Sequence, residues 1–395
     1  GSGKNGSRLS AEQEQRLRAV VEKAQAEPPD PAERQASAPH LSGGDYCAFE
    51  PVKDPLAVSA PVWSEALPGS QRDHQVFTQP LVTEDSVLFK HKNILYCRSI
   101  LNGRLRWQCD LGGRVNVQNR SELAFRMEEC LVQDNLVFTN LYRRGFSLAA
   151  LDLTTGQLRW AARPMAPATR QDTLIRYEAA PAAGPRTLYA GYIYDNIEGD
   201  THFDTAYGVR AFEAGTGRVL WDQPICRLTP GKISTNIAVQ RRVQIRSFAS
   251  PPLLHQGTLY YNTNAGAVAA LDARTGRIKW VMRHPYWTNL HDANAGFNQS
   301  VNWYPQRPVA IGENIYVAPV DCPMLFCIER ATGKVRWTHM KGKDYNGHAG
   351  HVYLDEAYVL GPTQQGLLAI VYSGRSGPIE LLDPKDGQTV WESPD

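Results

Sequence analysis

Short runs of alternating apolar and polar residues recur along this chain and are separated by turn residues. One such group comprises TLYYNT (Thr258–Thr263), GAVAALD (Gly266–Asp272) and RIKW (Arg277–Trp280). A period of two places successive side chains on opposite faces of a strand. No repeat contains an amphipathic run long enough for two helices. The pattern therefore predicts an all-β chain built from short strands.

Six of these groups end in one phrase, in which a tryptophan follows a glycine by four positions. Successive tryptophans of the phrase lie 53 to 61 residues apart. That interval holds four short strands and their turns, which is typical of a propeller blade rather than of a helical repeat. We predict that each tryptophan is a wedge packed between neighbouring blades rather than a ligand contact. The six are Trp107, Trp160, Trp221, Trp280, Trp337 and Trp391.

The glycine of the phrase marks a tight turn. In five copies an acidic residue stands four positions before it, as Asp152 does before Gly156. The acid can accept a hydrogen bond from the backbone N–H two residues on, and the glycine supplies the positive φ that the turn requires. The glycines are Gly103, Gly156, Gly217, Gly276, Gly333 and Gly387.

Two copies, Ala150–Trp160 and Ala270–Trp280, match the phrase A-x-D-x-x-T-G-x-x-x-W. This phrase resembles the repeat signature of pyrroloquinoline-quinone-like, or quinoprotein-type, β-propellers. The resemblance covers about residues 75 to 395 and implies four-stranded antiparallel blades. We expect residues 46–395 to form the propeller. The signature marks blades and not active sites, so it implies a fold far more than a function.

The number of blades is open from the sequence. Six complete blades are visible, whereas the resemblance implies a ring of eight closed by an N-terminal strand. Val62-Trp63-Ser64 precedes the first repeat and resembles an outer strand whose partners are not encoded beside it. We favour a chain that forms part of an eight-bladed ring, because an open ring has unpaired edges that must be covered. The alternative is a six-bladed ring with the Trp63 segment on its surface.

Residues 1–45 are expected to form an N-terminal arm. Ser10–Gln13 has the sequence of a capping box, and apolar residues on one face predict a helix over about residues 10–26. Pro28-Pro29-Asp30-Pro31 ends it, and a Pro/Ala-rich linker follows. The arm is either a disordered tail or a docking segment that covers a partner or a ring edge. The opening GSG has the character of a tag remnant or of a processed end.

Composition excludes some classes of function. The net charge is +2 with 21% charged residues, so no nucleic-acid surface is predicted. No apolar run reaches the roughly eighteen residues of a transmembrane helix. The seven cysteines include Cys322 and Cys327, which flank a short segment of the fifth repeat. A hairpin disulfide between them in an oxidising compartment is one expectation, and two buried thiols are the other.

Candidate binding residues lie in the long loops that follow the tryptophans. The loop after Trp280 combines aromatic, amide and histidine side chains that suit stacking on a flat ring, a sugar or a peptide. These candidates are His284, Tyr286, Trp287, His291, Asp292, Asn298, Trp303 and Tyr304. The loop after Trp337 adds Asn346, His348 and His351, and its two histidines are weak candidates for metal ligands. Arg241 and Arg242 are either solvated charges or contacts to an acidic partner.

Two functions follow from the resemblance. One is a dehydrogenase for alcohols or sugars that carries pyrroloquinoline quinone with calcium at the channel mouth. The sequence has no two adjacent cysteines, such as those beside the cofactor in many alcohol enzymes of that group, and no C-x-x-C-H haem motif. We therefore favour the other function, a non-catalytic scaffold or binding module in the periplasm, at the envelope or secreted. Its partner is another protein or a remaining propeller segment.

Overall fold

The computed structural model describes about half of the chain and shows only strands and turns there. The described residues are 80–91, 94–112, 130–141, 147–162, 174–177, 179–198, 202–228, 250–285, 306–319, 322, 324–340, 356–363, 365–373 and 379–393. Every structural statement below refers to this part. The expected arm, its helix over residues 10–26 and Trp63 lie outside it.

Twenty-five strands form six antiparallel sheets in chain order, and the all-β prediction is confirmed. The first two sheets are β1 (Leu81–Val82), β2 (Ser86–His91), β3 (Ile94–Ser99), β4 (Leu105–Asp110), and β5 (Leu131–Gln133), β6 (Leu136–Leu141), β7 (Ser147–Asp152), β8 (Leu158–Ala162). The third comprises β9 (Leu174–Arg176), β10 (Ala182–Ala183), β11 (Thr187–Glu198), β12 (His202–Glu213) and β13 (Val219–Leu228).

The remaining three sheets have four strands each. They are β14 (Leu253–His255), β15 (Thr258–Asn262), β16 (Ala267–Asp272), β17 (Ile278–Arg283); β18 (Val309–Ile311), β19 (Asn314–Val317), β20 (Met324–Glu329), β21 (Val335–Met340); and β22 (Glu356–Pro362), β23 (Leu368–Ser373), β24 (Ile379–Leu382), β25 (Thr389–Glu392). Each sheet is a meander of consecutive strands, which is the blade of a β-propeller. We number the blades 1 to 6 in chain order.

Blade 3 departs from the predicted four strands. Its sheet has the order β10-β11-β12-β13, and β9 is a fifth strand that pairs with β11 opposite Ile193–Asp195. β10 pairs with a different stretch of the same strand, opposite Leu188 and Tyr189. Two short strands can share one edge of β11 because that strand is 12 residues long.

The strands divide between two compact units, with blades 1–4 in one and blades 5 and 6 in the other. Within each unit the apolar core lies between neighbouring blades. In the first unit, Leu88 and Leu95 of blade 1 pack in one cluster with Val137 and Leu151 of blade 2. The other clusters join blade 2 to blade 3 and blade 3 to blade 4. In the second unit, one cluster joins blade 5 to blade 6.

Four of the repeat tryptophans pack between blades by a recurring joint within the described part of the chain. The Trp107 ring of blade 1 lies against Gly156 of blade 2, where a Cβ would be 2.6 Å from the ring. Its Nε1–H donates to the carbonyl oxygen of Leu153 at 2.7 Å. The φ of Gly156 is +70°, so this glycine both turns the chain and lets the indole approach. The same joint recurs for Trp160 on Gly217, Trp221 on Gly276 and Trp337 on Gly387.

The acid of the phrase closes the same turn. The Asp152 carboxylate accepts the N–H groups of Thr154 and Thr155 at 2.9 and 2.8 Å. Arg159 donates to it at 2.6 Å, and this bond is the main reason that the pKa of Asp152 falls to about 2. Blades 2, 3, 4 and 6 therefore each present a glycine turn to the tryptophan of the blade before it.

Blades 5 and 6 add a polar link beside their indole joint. Nδ1 of His339 on β21 lies 3.0 Å from the Gly387 carbonyl oxygen, and its Nε2 lies 3.1 Å from the Glu380 carboxylate on β24. Thr389 also donates to that carboxylate, at 3.2 Å. Glu380 stands directly opposite Glu392 in the sheet, so His339 contacts one member of a cross-strand pair of acidic residues.

Candidate functional site

The two ends of each blade carry different connections. In an antiparallel meander, the turn between the first and second strands and the turn between the third and fourth lie at one end. In blade 4 these are the short turns at Gln256–Gly257 and Asp272–Gly276. The turn between the second and third strands, and the connections to other blades, lie at the opposite end. We call this the long-loop end, because every sequence-predicted binding loop leaves a blade there.

His284 is the one predicted binding residue that the structure describes. It follows β17 at the long-loop end of blade 4 and is only 6% exposed. Its backbone N–H donates to the Gly266 carbonyl oxygen at 3.0 Å, and Nδ1 lies 3.0 Å from the Pro285 carbonyl oxygen. This backbone hydrogen bond holds the main chain of His284 against the turn between β15 and β16.

The turn beside His284 is a buried polar cluster. Asn264 has a φ of 51° and is stabilised there by its side chain, which donates from Nδ2 to Ser250 Oγ at 2.8 Å. Asn262 Nδ2 donates to Asn264 Oδ1 at 2.6 Å, and Thr263 Oγ1 donates to the Ala267 carbonyl oxygen at 2.8 Å. Ser250 ends the connection from blade 3. The cluster therefore anchors the two connections that flank blade 4.

Blade 3 extends beyond its neighbours at the long-loop end. β11 and β12 pair over twelve positions, from Thr187↔Glu213 to Glu198↔His202. The corresponding strands of blade 4 pair over five, from Thr258↔Asp272 to Asn262↔Val268. At about 3.3 Å per residue, the additional pairs project the hairpin by roughly 20 Å. We call residues 192–208 the blade 3 arm.

Neighbouring strands pair with the arm on both sides near its base. β9 pairs with β11 as far as Asp195, and β13 pairs with β12 as far as Thr205. Beyond these points, at residues 196–198 and 202–204, no other described strand pairs with the hairpin. The sequence of the arm includes Asp195, Glu198, Asp200 and Asp204 and no lysine or arginine, so its charged positions are acidic.

A buried polar network fixes the base of the arm. The Arg210 guanidinium on β12 forms an ion pair with Asp222 on β13 and donates to the Tyr177 hydroxyl at 2.8 Å. It also lies over the Tyr192 ring, 5.4 Å from the centroid. Burial raises the pKa of Tyr177 to about 12 and raises that of Tyr192 as well, so both phenols stay protonated. The Asn140 amide of blade 2 donates to the Tyr177 carbonyl oxygen, which ties the network to the preceding blade.

The residues of this network are not among the sequence-predicted binding residues, although the sequence contains a signal for them. In each of blades 2, 3 and 4, two positions face one another across the third and fourth strands. One lies seven residues before the repeat glycine and the other five residues after it. In blade 3 this pair is Arg210↔Asp222, whereas in blades 2 and 4 it is Ala149↔Ala161 and Ala269↔Val281. Opposite charges at the two positions could therefore have been found by aligning the repeats.

The other predicted binding residues lie outside the described part of the chain, so their placement stays a prediction. They are Tyr286, Trp287, His291, Asp292, Asn298, Trp303, Tyr304, Asn346, His348, His351, Arg241 and Arg242. In the part that is described, no three His, Cys, Asp or Glu side chains come together as ligands for a metal ion. The same residues contain no helix with the length and hydropathy that a membrane crossing requires.

The expected disulfide between Cys322 and Cys327 is not formed, and both residues are buried thiols. Cys322 does not lie on the strand next to Cys327, since β19 ends at Val317 and Cys322 falls in the turn before β20. Cys327 on β20 stands opposite Tyr316 and Trp337. Burial raises the pKa of its thiol to about 11.

Comparison with known proteins assigns the repeat. The family model described as outer membrane protein assembly factor BamB, a PQQ-like repeat model, matches residues 58–339 and 206–394. The chain belongs to this family. The PQQ-like repeat and the β-propeller fold predicted from the glycine–tryptophan phrase are thereby confirmed.

Curated relatives include two dehydrogenases. The chain is 24% identical over 257 residues to quinoprotein ethanol dehydrogenase of Pseudomonas putida, and the match covers 61% of this chain and 38% of that protein. It is 23% identical over 425 residues to polyvinylalcohol dehydrogenase of a Pseudomonas species, covering 91% of this chain and 59% of that protein. The chain thus spans less than two thirds of the length of these relatives.

Solved structures with similar folds come from both groups of proteins. BamB from Moraxella catarrhalis aligns with a TM-score of 0.48 at 14% identity, over 79% of this chain and 73% of that one. Quinohemoprotein alcohol dehydrogenase ADHIIG from Pseudomonas putida HK5 aligns with a TM-score of 0.49 at 16% identity, over 81% and 60%. The family model is described as an assembly factor, and the curated relatives named above are enzymes.

Proposed function

We propose that this chain is a non-catalytic propeller scaffold that binds a partner protein at the long-loop ends of its blades, outside the cytoplasm. The observation that carries the proposal is the blade 3 arm, a paired hairpin that projects from a rigid sheet. The family model supports it, because the model describes a factor in outer-membrane protein assembly. That description also supports an envelope location.

The arm has the backbone chemistry of a strand-recognition site. A strand edge without a neighbour presents N–H and C=O groups that an extended segment of another protein can pair with. Residues 196–198 and 202–204 are such edges within the described part of the chain. The acidic positions of the arm favour a partner whose extended segment carries basic side chains.

The base of the arm is suited to hold this edge still. Arg210 links β12 to β13 through Asp222 and links both to Tyr177, which is fully buried. A binding edge that is already ordered loses less conformational entropy when the partner docks. The Asn264 cluster gives blade 4 a comparably fixed long-loop end.

Site-directed photocrosslinking tests the proposal. A photoreactive residue at Asn196 in the arm should crosslink in cells to one discrete partner. The same residue at Thr216, which is exposed at the opposite end of blade 3, should not. A variant in which Asn-Gly replaces residues 195–205 should lose partner binding, since Tyr194 and Ala206 face each other and allow the hairpin to close there. Equal crosslinking from both positions, or from neither, would contradict the proposal.

The alternative function is a dehydrogenase dependent on pyrroloquinoline quinone. Sequence similarity to the ethanol and polyvinylalcohol dehydrogenases favours it. This alternative rests on that similarity. Incubation with the quinone and calcium, followed by an assay of dye-linked ethanol oxidation, separates the two functions. Turnover that depends on both additions would establish the enzyme and refute the non-catalytic scaffold.

A further inference from the structure

Two glycines lie at the base of the blade 3 arm, Gly191 on β11 and Gly208 on β12. Neither has a positive φ, so backbone conformation is not the reason for glycine at either position. A Cβ at Gly191 would lie 2.5 Å from the Tyr261 ring, and a Cβ at Gly208 would lie 2.4 Å from the Tyr192 hydroxyl oxygen. Both distances are too short for non-bonded atoms, so only glycine fits at these two positions.

Blades 2 and 4 carry side chains at the same positions of the repeat. Gly208 lies nine residues before the repeat glycine, and Gly191 faces the residue eight before it across the second and third strands. The residues at the first position are Ser147 in blade 2 and Ala267 in blade 4, and those at the second are Asn140 and Asn262. The pair of glycines therefore accompanies the blade that extends into the arm, which indicates that it serves the arm rather than the repeat.

Gly208 also lies opposite a β-bulge. Along β13, Pro224 pairs with Gly208 and Cys226 pairs with Tyr207, so one extra residue lies between them. A bulge bends its strand and increases the local twist. A Cβ at Gly208 would be 2.7 Å from the Gln223 carbonyl oxygen, so the bulged strand approaches this closely because the position is glycine. The bend therefore falls at the base of the arm.

The Tyr192 side chain covers Gly208. The two residues are directly opposite each other on β11 and β12. The Tyr192 ring lies over the glycine and its hydroxyl donates to Asp222 on β13, so one side chain spans three strands at the bend. Burial is the main reason that the pKa of Tyr192 is raised, which keeps this donor protonated. An aromatic ring over a cross-strand glycine stabilises a strand that glycine alone would weaken.

Blade 4 supports the base of the arm from one side. The Tyr261 side chain of β15 fills the space above Gly191. Ile193 and Tyr207 pack in one cluster with Ala265, which lies in the turn between β15 and β16. The base of the arm is thus held between the bulge in its own sheet and the neighbouring blade.

We propose that Gly208 and Tyr192 are positioning residues, which set the bend at the base of the arm and thereby direct its edges at residues 196–198 and 202–204 towards the partner protein. This inference rests on the proposed function. The arm projects by roughly 20 Å, so a change of about 15° at its base would move its far end by about 5 Å. That displacement is close to the spacing of two paired strands, about 4.8 Å. A small change of the bend is therefore enough to misplace an edge that pairs with another strand.

Two substitutions alter the bend, and a third is the control. Gly208→Ala places a Cβ against the Tyr192 hydroxyl and the β13 backbone. Tyr192→Phe keeps the ring over the glycine and removes its hydrogen bond to Asp222, so this milder variant is expected to fold. Gly215→Ala lies in an exposed turn at the opposite end of the same blade, where a Cβ would meet nothing within 4 Å.

Double electron–electron resonance measures the direction of the arm without a partner. Spin-labelled non-natural residues at Asn196 and Thr216 leave the seven cysteines unmodified. The two labels should lie roughly 30 Å apart, because Asn196 is nine residues beyond Thr187 along β11. The alanine substitution at the bend should shift this distance by about 3–5 Å, the phenylalanine substitution should broaden its distribution, and the control should leave it unchanged.

Photocrosslinking from Asn196 in the full chain, expressed in cells, measures whether this direction matters for binding. The yield of the discrete crosslink should fall about tenfold in Gly208→Ala and about threefold in Tyr192→Phe, since fewer arms point correctly, and should not change in Gly215→Ala. Wild-type yields in both variants at the bend, or distances that do not change, would overturn the positioning role. A wild-type chain that gives no discrete crosslink would instead refute the proposed function, so the two failures are distinguishable.

Discussion

Substitution of Gly276 by alanine tests the indole joint directly, because the added Cβ would meet the Trp221 ring. The φ of Gly276 is +74°, and a Cβ there would lie 2.7 Å from the Trp221 ring. Gly257, in the same blade, has nearly the same φ of +71°, but a Cβ there would meet nothing within 4 Å. The two glycines therefore share the backbone strain of an L-residue in the left-handed region and differ in the steric clash with the indole.

The expected losses of stability follow from this difference. The left-handed backbone costs a residue with a Cβ about 1–2 kcal/mol at either position. At Gly276 the indole must also shift, which adds about 1–3 kcal/mol for overpacking and about 1 kcal/mol for its bond to the Ala273 carbonyl oxygen. We therefore expect Gly257→Ala to cost about 1–2 kcal/mol and Gly276→Ala about 3–6 kcal/mol.

Urea unfolding followed by tryptophan fluorescence and by far-UV circular dichroism measures both variants. Trp221→Ala combined with Gly276→Ala provides the control, because removing the ring should remove the steric part of the loss. Equal losses at Gly257 and Gly276 would show that the glycine is needed for φ alone. That result would refute the argument that the approach of the indole selects glycine.

Three further predictions concern charge and burial. Arg210→Ala should lower the free energy of unfolding by about 1–3 kcal/mol, because Tyr177 and Asp222 lose their hydrogen-bond donor. Arg218→Ala removes an exposed ion pair and should lower it by at most about 1 kcal/mol. Thermal unfolding compares the two variants. Asp152→Asn should lower the urea midpoint at neutral pH. The difference should vanish as pH falls through about 2, because a depressed pKa contributes stability only above it. Cys327, with a pKa of about 11, should resist iodoacetamide at mildly alkaline pH until the chain unfolds, as peptide mapping would show; rapid labelling of the folded chain would contradict this.

The sequence predicted the regular features of the fold because they recur with one period. The six phrases locate the outer strand and the tight turn of each blade, and Asp152 closes its turn as its position in the phrase requires. The fifth strand of blade 3 escaped prediction. β9 is only three residues long and has no counterpart in the other repeats, so it exists because the long β11 offers an edge to it.

The candidate site was less predictable than the fold. His284 was singled out for a binding role, and the structure shows that it is buried and that its main chain fastens a loop. Arg210 and Asp222 are twelve residues apart and become partners only when their strands align. Such pairings depend on register, which the apolar pattern of a single strand does not specify.

By itself, the sequence determined the repeat, the class of fold and the residues of the indole joint. These features are local, because a glycine turn, an alternating strand and a tryptophan four positions on are encoded within a dozen residues. The tertiary structure alone decided which glycine meets each of four repeat tryptophans, how far the blade 3 arm projects and that Cys322 and Cys327 stay thiols. These depend on contacts between segments about fifty residues apart, or on the exact end of a strand. The side chains could form many contacts between such distant segments, and the packing of neighbouring blades determines which of these contacts form.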